Sequence, residues 1–552
     1  MQEHKKWIVK NAKIWTGNLS AKWADAMVID GDKIAEVGTW EKLGKKYTNL
    51  HVFDAEGKMV MPSFVDPHIH VTAVAKSMWY LLIDRDRCDT LEQLLGQITA
   101  YAEKHSKKEV PFIYATSCPM EWMDRATKED LDRVISDRPL LLCDEGFHRC
   151  LVNSKMLELM EVDEHTPYDE TTSMNYERDE KGVPNGIVYE HRYERDMFKM
   201  FDKLGWYPPD QKDPDVIKPF LDMLCSWGVS TVLDGFTEGE GTFKGFAKLE
   251  KRGELKLHYY GNSLFHNLDD LEDAIERVKR WRRYESAHIH INSVKLFLDG
   301  TNEIGTSAVM EPYCNDPQGK NCGVLNMSED DLVQAFLRIN DEGLDMQIHM
   351  VGDRAFHTAI NAVERAQNEA KKQGKEFTSH ITLLHCELTK PKDRLRVKKL
   401  GIYINITPHW NGGIFGDGAI KFLGRERYES FYAFNDMIRD GAVVSCSSDV
   451  VDLEDMPRAN PFIGMEVGHT RRDIVPDAPL RVREEECIDR EDLLYGYTMQ
   501  AARCVGAEDV MGSLEAGKAA NFLVLSDNFF EVPARKIHEI AVECRFFEGE
   551  EV

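Results

Sequence analysis

Six residues of this chain are of types that hold metal ions or move protons, and each sits in or just beyond an apolar run. His68 and His70 end MPSFVDPHIH, and residues i and i+2 of a strand point to one face, so both imidazoles reach the same side. Lys295 lies inside the otherwise apolar VKLFLD, where a lone ammonium is costly unless paired or neutralised. His349 closes LDMQIHM, His385 closes ITLLHC and Asp449 closes AVVSCSSD. Imidazole and carboxylate are the natural ligands of zinc and related divalent metals, whose chemistry is hydrolytic.

Each residue taken alone has a plainer explanation. With 19 histidines in the chain, about one His-x-His triplet arises by chance. Lys295 has Asp299 nearby as a salt-bridge partner, a single strand-end histidine is most often a hydrogen-bonded core residue, and Asp449 could cap a helix. The chain even carries a decoy, His288 and His290 in AHIHINSVKLF. That pair precedes its apolar run, whereas His68 and His70 follow theirs.

The elements that must position these residues read as a βα series. Residues 1–60 are short alternating strands, with a hairpin in AMVIDGDKIAEVG turning at Asp30-Gly31. After Pro62, short apolar runs alternate with long helical stretches, the signature of a parallel sheet. Ten runs qualify as buried strands, from MVMPSFVD to AVVSCSSD, where a barrel needs eight. FIYATS and PLLLCDEG fall in a long polar region that includes DEHTPYDETTSMNYERDEKGVPNG, and both are assigned to an insertion.

The expected architecture is therefore a (β/α)8 TIM-type barrel, with a small β-sandwich domain built from both termini and an inserted α/β lid region. The boundaries read as residues 1–60 for the N-terminal part of the small domain and 61–74 for the first barrel strand and metal motif. The insertion takes 75–225, the rest of the barrel 226–490, and a helix with the C-terminal part of the small domain 491–552. In that frame the histidine pair falls on strand one, Lys295 on four, His349 on five, His385 on six and Asp449 on eight. All lie towards the C-terminal mouth, where barrel enzymes keep their sites. His288 and His290 fall at the barrel floor.

Composition excludes some partners. The 552 residues carry 69 basic and 95 acidic side chains, a net charge of −26 that repels phosphate backbones. Hydrophobic residues make up 42%, no apolar run approaches a membrane span, and twelve cysteines include no CxxC pair. Neither a nucleic-acid nor a membrane partner is expected; a small-molecule substrate, a homodimer and a cytoplasmic location with free thiols are.

The order His-x-His, Lys, His, His, Asp resembles the amidohydrolase superfamily of the binuclear, carboxylated-lysine kind. QIHMVGDRA, VKLFLDG, SSD ahead of NPF (Asn460, Pro461), GKAANFLVL and CDEGFHRCLVNSKML (Gly146, His148, Asn153) resemble the branch containing the N-substituted formamide deformylases. The loop from Gly300 to Ala308 departs from the GSLGSRTA usual there and has no arginine. Val450 and Val451 follow Asp449 where a bulky residue and proline are usual, and Ala520-Asn521 replaces Ala-Asp.

The resemblance implies two divalent metal ions, with zinc the default and Mn, Fe or Ni as alternatives. His68, His70 and Asp449 would hold one and His349 and His385 the other, bridged by Lys295 carboxylated with CO2. It implies hydrolysis of a C–N bond in an amide, N-formyl or cyclic amide, with Asp449 as the catalytic proton shuttle. Deamination, ester or lactone hydrolysis on the same site, and a non-catalytic partner-binding barrel are the alternatives. Trp79, Trp122, Phe147, His148, His409 and Trp410 are candidate lip or lid residues. Trp122, His148, Asp299, His409 and Trp410 are the candidate substrate contacts.

Overall fold

Runs that are apolar on both faces form eight parallel strands, because such strands must be covered on each side. In the computed structural model, which describes residues 6–76, 80–190, 192–206, 213–237, 239–412 and 416–552, these strands make one sheet. Barrel strands one to eight are Phe64–Ile69, Val229–Asp234, His258–Phe265, Ile289–Phe297, Asp345–Met350, Ile381–His385, Tyr403–Ile406 and Val443–Cys446. Each pairs in parallel with the next. The outer helices bury one stripe each: Asp353–Lys372 turns Ala355, Phe356, Ala359, Ile360, Ala362, Val363 and Ala366 inward at helical spacing.

The barrel closes at its mouth. Asp449 N donates to the His68 carbonyl at 2.9 Å, and His70 N to the Val450 carbonyl at 3.0 Å. Asp66 reinforces the seam: its Oδ1 accepts from the amides of His68 and Ser448, each at 3.2 Å, and its Oδ2 from Ser448 Oγ at 2.5 Å. Helices Arg490–Tyr497 and Met499–Cys504 pack across strands eight and one.

MVMPSFVD is not one strand. Met59–Pro62 pairs antiparallel with Phe522–Leu525 in the small domain, and the barrel strand begins at Phe64. The chain changes sheets at Ser63, whose hydroxyl meets Ser230 Oγ at 2.6 Å. The small domain comprises a four-stranded sheet from residues 7–54 and a six-stranded sheet from both ends of the chain. Val9, Ile14, Met27, Val60, Phe522 and Val524 form its core. Its hairpin pairs Asp30 with Lys33, so the two-residue turn is Gly31-Asp32, one position later than the sequence suggested. Gly31 takes the left-handed φ of +65° such a turn needs.

FIYATS and PLLLCDEG become Ile113–Cys118 and Leu140–Asp144, neighbours in a separate six-stranded sheet within the segment between barrel strands one and two. This inserted unit has its own core, including Leu94, Ile98, Ile113, Leu142 and Leu151. Arg85 ties it to the barrel mouth, reaching Glu145 at 2.7 Å, Glu454 at 2.8 Å and Asp455 at 3.1 Å. Among the described residues no helix is long and apolar enough to cross a membrane.

Candidate metal centre

All six chemistry-bearing residues line one cavity of about 710 Å³ at the C-terminal mouth of the barrel, roofed by the insertion. Asp449 is its hub. Its Oδ1 lies 3.1 Å from His68 Nε2 and 3.3 Å from His70 Nε2, and its Oδ2 lies 3.4 Å from His385 Nδ1. His349 packs on His385 with ring centroids 4.6 Å apart, and its Nε2 donates to the Gly300 carbonyl at 3.3 Å. Lys295 is fully buried, with Nζ 5.0 Å from the centre of the Phe297 ring.

Two of the six stand in strained backbone. His385 has φ +67° and Asp449 φ +50°, a region that non-glycine residues seldom adopt. His385 is the last residue of strand six, and Asp449 lies just beyond strand eight, which ends at Cys446. Such strain persists only where surrounding structure fixes it, and it is typical of functional sites.

The electrostatics match ligand chemistry. Burial, with Lys295 adding to it and Asp449 opposing, lowers the His68 imidazole to about 4. Burial likewise holds His349 and His385 well below the usual histidine range. Burial alone would raise Asp449, but the facing His68 and His385 outweigh it and hold the carboxyl far down. Burial brings Lys295 down to about 7, with only Asp449 opposing. These residues therefore present neutral imidazoles, an anionic carboxylate and an amine that gives up its proton readily. Lys295 Nζ, His68 Nδ1 and His385 Nε2 are buried without a hydrogen-bond partner. Ligand atoms of His68, His385 and Asp449 all lie within 4.8 Å of one another, a donor set that fits a divalent cation.

The plainer explanations can be checked at each position. Asp299 does not pair with Lys295. Its Oδ1 accepts from Val351 N at 3.1 Å, and its Oδ2 from Ala308 N at 2.9 Å and Gly352 N at 3.0 Å. It braces the loop after strand four against strand five and lies outside the cavity lining, so it is not placed to contact substrate. Trp122 is also elsewhere, buried in the core of the insertion with Nε1 donating to the Cys88 carbonyl at 2.9 Å. Phe147, His148, His409 and Trp410 line the cavity, and Trp410 stacks on His385 at 5.6 Å. Trp79 lies outside the described residues. His288 and His290 are at the barrel floor beside His258, with His288 Nε2 3.2 Å from Glu548.

Other contributors went unread in the sequence. Glu190 accepts from His148 Nδ1 at 2.6 Å. Burial would lower the His148 ring, but Glu190, with Asp144 and Asp449 behind it, lifts it to about 8. Gly235 leaves room for His70, because a Cβ there would lie 2.3 Å from the ring. Gln347 Nε2 spans the barrel to the Pro67 carbonyl at 3.0 Å. Asp66 had a legible signal, since it shares the i, i+2, i+4 face of His68 and His70. Glu190, far off in an acidic stretch, had none.

A closed parallel barrel with ligand-type residues at its mouth defines the class. The model of the amidohydrolase family matches residues 51–552, and the chain belongs to that family. It is 27% identical to the exoenzymes regulatory protein AepA of Pectobacterium carotovorum subsp. carotovorum, over 81% of this chain and 94% of that one. It is 24% identical to the N-substituted formamide deformylase of Arthrobacter pascens, over 98% and 97% of the two chains. The crystal structure of an uncharacterized metal-dependent hydrolase from Pyrococcus horikoshii OT3 shares the fold, with a TM-score of 0.71 at 22% identity over 96% of this chain and 99% of that one.

Proposed function

We propose that the protein is a metal-dependent hydrolase that cleaves a C–N bond in a small amide, N-formyl or cyclic amide substrate. The observation that carries this reading is Lys295: a fully buried amine with no hydrogen-bond partner, in a cavity shared with His68, His70, His349, His385 and Asp449. A structural lysine would have a carboxylate beside it, and the nearby Asp299 is committed to three backbone amides.

In this reading His68, His70 and Asp449 would hold one divalent ion and His349 and His385 a second, with zinc the default. Lys295 would join the two sets as a carbamate, formed when neutral Nζ bonds to the carbon of CO2 and releases one proton. When bound, the ions acidify water and polarise a carbonyl. Asp449 takes up the proton of the attacking water and returns it to the leaving nitrogen. His148, kept charged by Glu190, offers an N–H donor in the same cavity. Phe236, Phe297 and Trp410 add apolar wall, which strengthens these interactions by excluding water.

The test combines a hydrolysis screen of N-acyl, N-formyl and cyclic amides with metal analysis of Lys295→Ala. The variant is expected to lose most of its metal and activity, and acetate is expected to restore part of both. A Lys295→Ala protein with two metals and wild-type turnover would sink this reading.

A further inference from the structure

The inserted unit gives the cavity an apolar wall. Tyr80, Tyr114, Phe147, Tyr193 and Met197 all come from the segment between barrel strands one and two, and all line the cavity. They are contiguous. The Tyr80 and Tyr114 rings lie edge to face with centroids 4.0 Å apart, and Tyr114, Phe147 and Met197 pack on the buried cluster that holds Tyr193. The Tyr114 and Tyr193 hydroxyls meet at 3.3 Å, so these polar tips are turned to each other. Tyr80, Tyr114, Phe147 and Met197 are only partly buried, which leaves apolar surface on the cavity.

The barrel side adds to it. Phe236 packs on His70 with ring centroids 5.2 Å apart, and Phe297 on His349 at 5.0 Å. Val450 and Val451, in the positions where a bulky residue and proline are usual, line the cavity beside Asp449. The charged lining is already engaged within the protein. Arg85 takes Glu145, Glu454 and Asp455, Arg458 meets Asp473 at 3.1 Å, and Arg481 acts electrostatically on both Glu303 and Glu387. A cavity of about 710 Å³ has room for a drug-sized molecule, and a bare amide of a few atoms would leave these rings against water. The wall bounds the same cavity as Lys295, His349 and Asp449, so any molecule whose amide reaches that cluster shares the space with the rings.

We propose that the inserted unit is the specificity wall of the site, and that the substrate's amide carries a bulky apolar group, aromatic or branched aliphatic, seated against Tyr80, Tyr114, Phe147, Tyr193 and Met197. The cleavage half of the proposal rests on the hydrolase reading above; the recognition half stands on the wall itself.

Calorimetric titration of the full chain with benzylacetone and with butanone tests it without turnover. In both ketones a methylene stands where an amide has its nitrogen, so neither can be hydrolysed, and they differ only by the phenyl group. Wild type is expected to bind benzylacetone at least about 10-fold more tightly, the gain from covering one ring with apolar surface. Phe147→Asn and Met197→Gln are each expected to cut that preference severalfold. Asparagine suits position 147, whose φ is +60°. Equal affinity for the two ketones, no binding of benzylacetone, or an unchanged preference in both variants would overturn the proposal. Failure of the hydrolase reading shows up elsewhere, in the amide screen and the metal content of Lys295→Ala.

Discussion

The amide of Asp449 donates to the carbonyl of His68 at 2.9 Å, so the first and last barrel strands are joined at two of the proposed metal ligands. The same pair meets again through side chains, His68 Nε2 lying 3.1 Å from Asp449 Oδ1. Closing the barrel and assembling the site are therefore one event, and what loosens the seam should loosen the site.

Asp66→Ala tests that coupling. The substitution removes the acceptor of three hydrogen bonds, from His68 N, Ser448 N and Ser448 Oγ. At about 1 kcal/mol for each bond, and more where a donor is left buried and unpaired, stability should fall by about 2–4 kcal/mol. Urea unfolding and metal content, measured on one preparation, should fall together. A variant that lost stability but kept full metal would separate seam from site.

Gly235→Ala isolates the placement of His70. A Cβ at Gly235 would lie 2.3 Å from His70 Cε1 and 2.5 Å from Nε2, so the imidazole must move. We expect metal affinity to drop about 10-fold or more, a common cost of disturbing a ligand's support. Circular dichroism should stay at wild type. Unchanged metal retention after dialysis would mean that His70 is not a ligand.

Asp449→Asn keeps the size of the side chain and one oxygen but removes the proposed base. General-base catalysis is worth about 10²–10⁴-fold, and kcat should fall by that factor while metal content falls less. Wild-type turnover with both metals present would exclude Asp449 as the proton shuttle.

The barrel floor predicts an acid limit to stability. Burial, and then His288 and His290 nearby, lowers the His258 imidazole from 6.5 to about 4. The unfolded chain therefore binds a proton below pH 6.5 that the folded chain refuses. Stability from this group is complete above pH 6.5 and drains away as pH falls towards 4, by up to about 3 kcal/mol. In urea titrations between pH 7 and 4, His258→Leu should lose stability less steeply than wild type. Parallel slopes would show that another group sets the limit.

The sequence by itself determined the strand series, the barrel, the two-ended small domain and the order of the six residues along the strands. These are local facts: apolar runs choose sheet, the two-residue period puts His68 and His70 on one face, and strand-end position puts a side chain at the mouth. Tertiary structure alone decided which residues meet across long separations. His148 finds Glu190, 42 residues away, and Glu190 also accepts from Thr306, 116 residues away. Those approaches depend on loop paths and on the packing of the insertion against the barrel, which no local pattern encodes. The same reason separates Lys295 from Asp299. Four residues apart in sequence, they look like partners, but the chain leaves the strand after Phe297 and turns the Asp299 carboxylate onto backbone amides. What remains beside the lysine is a cavity, and that is the arrangement on which the proposed chemistry rests.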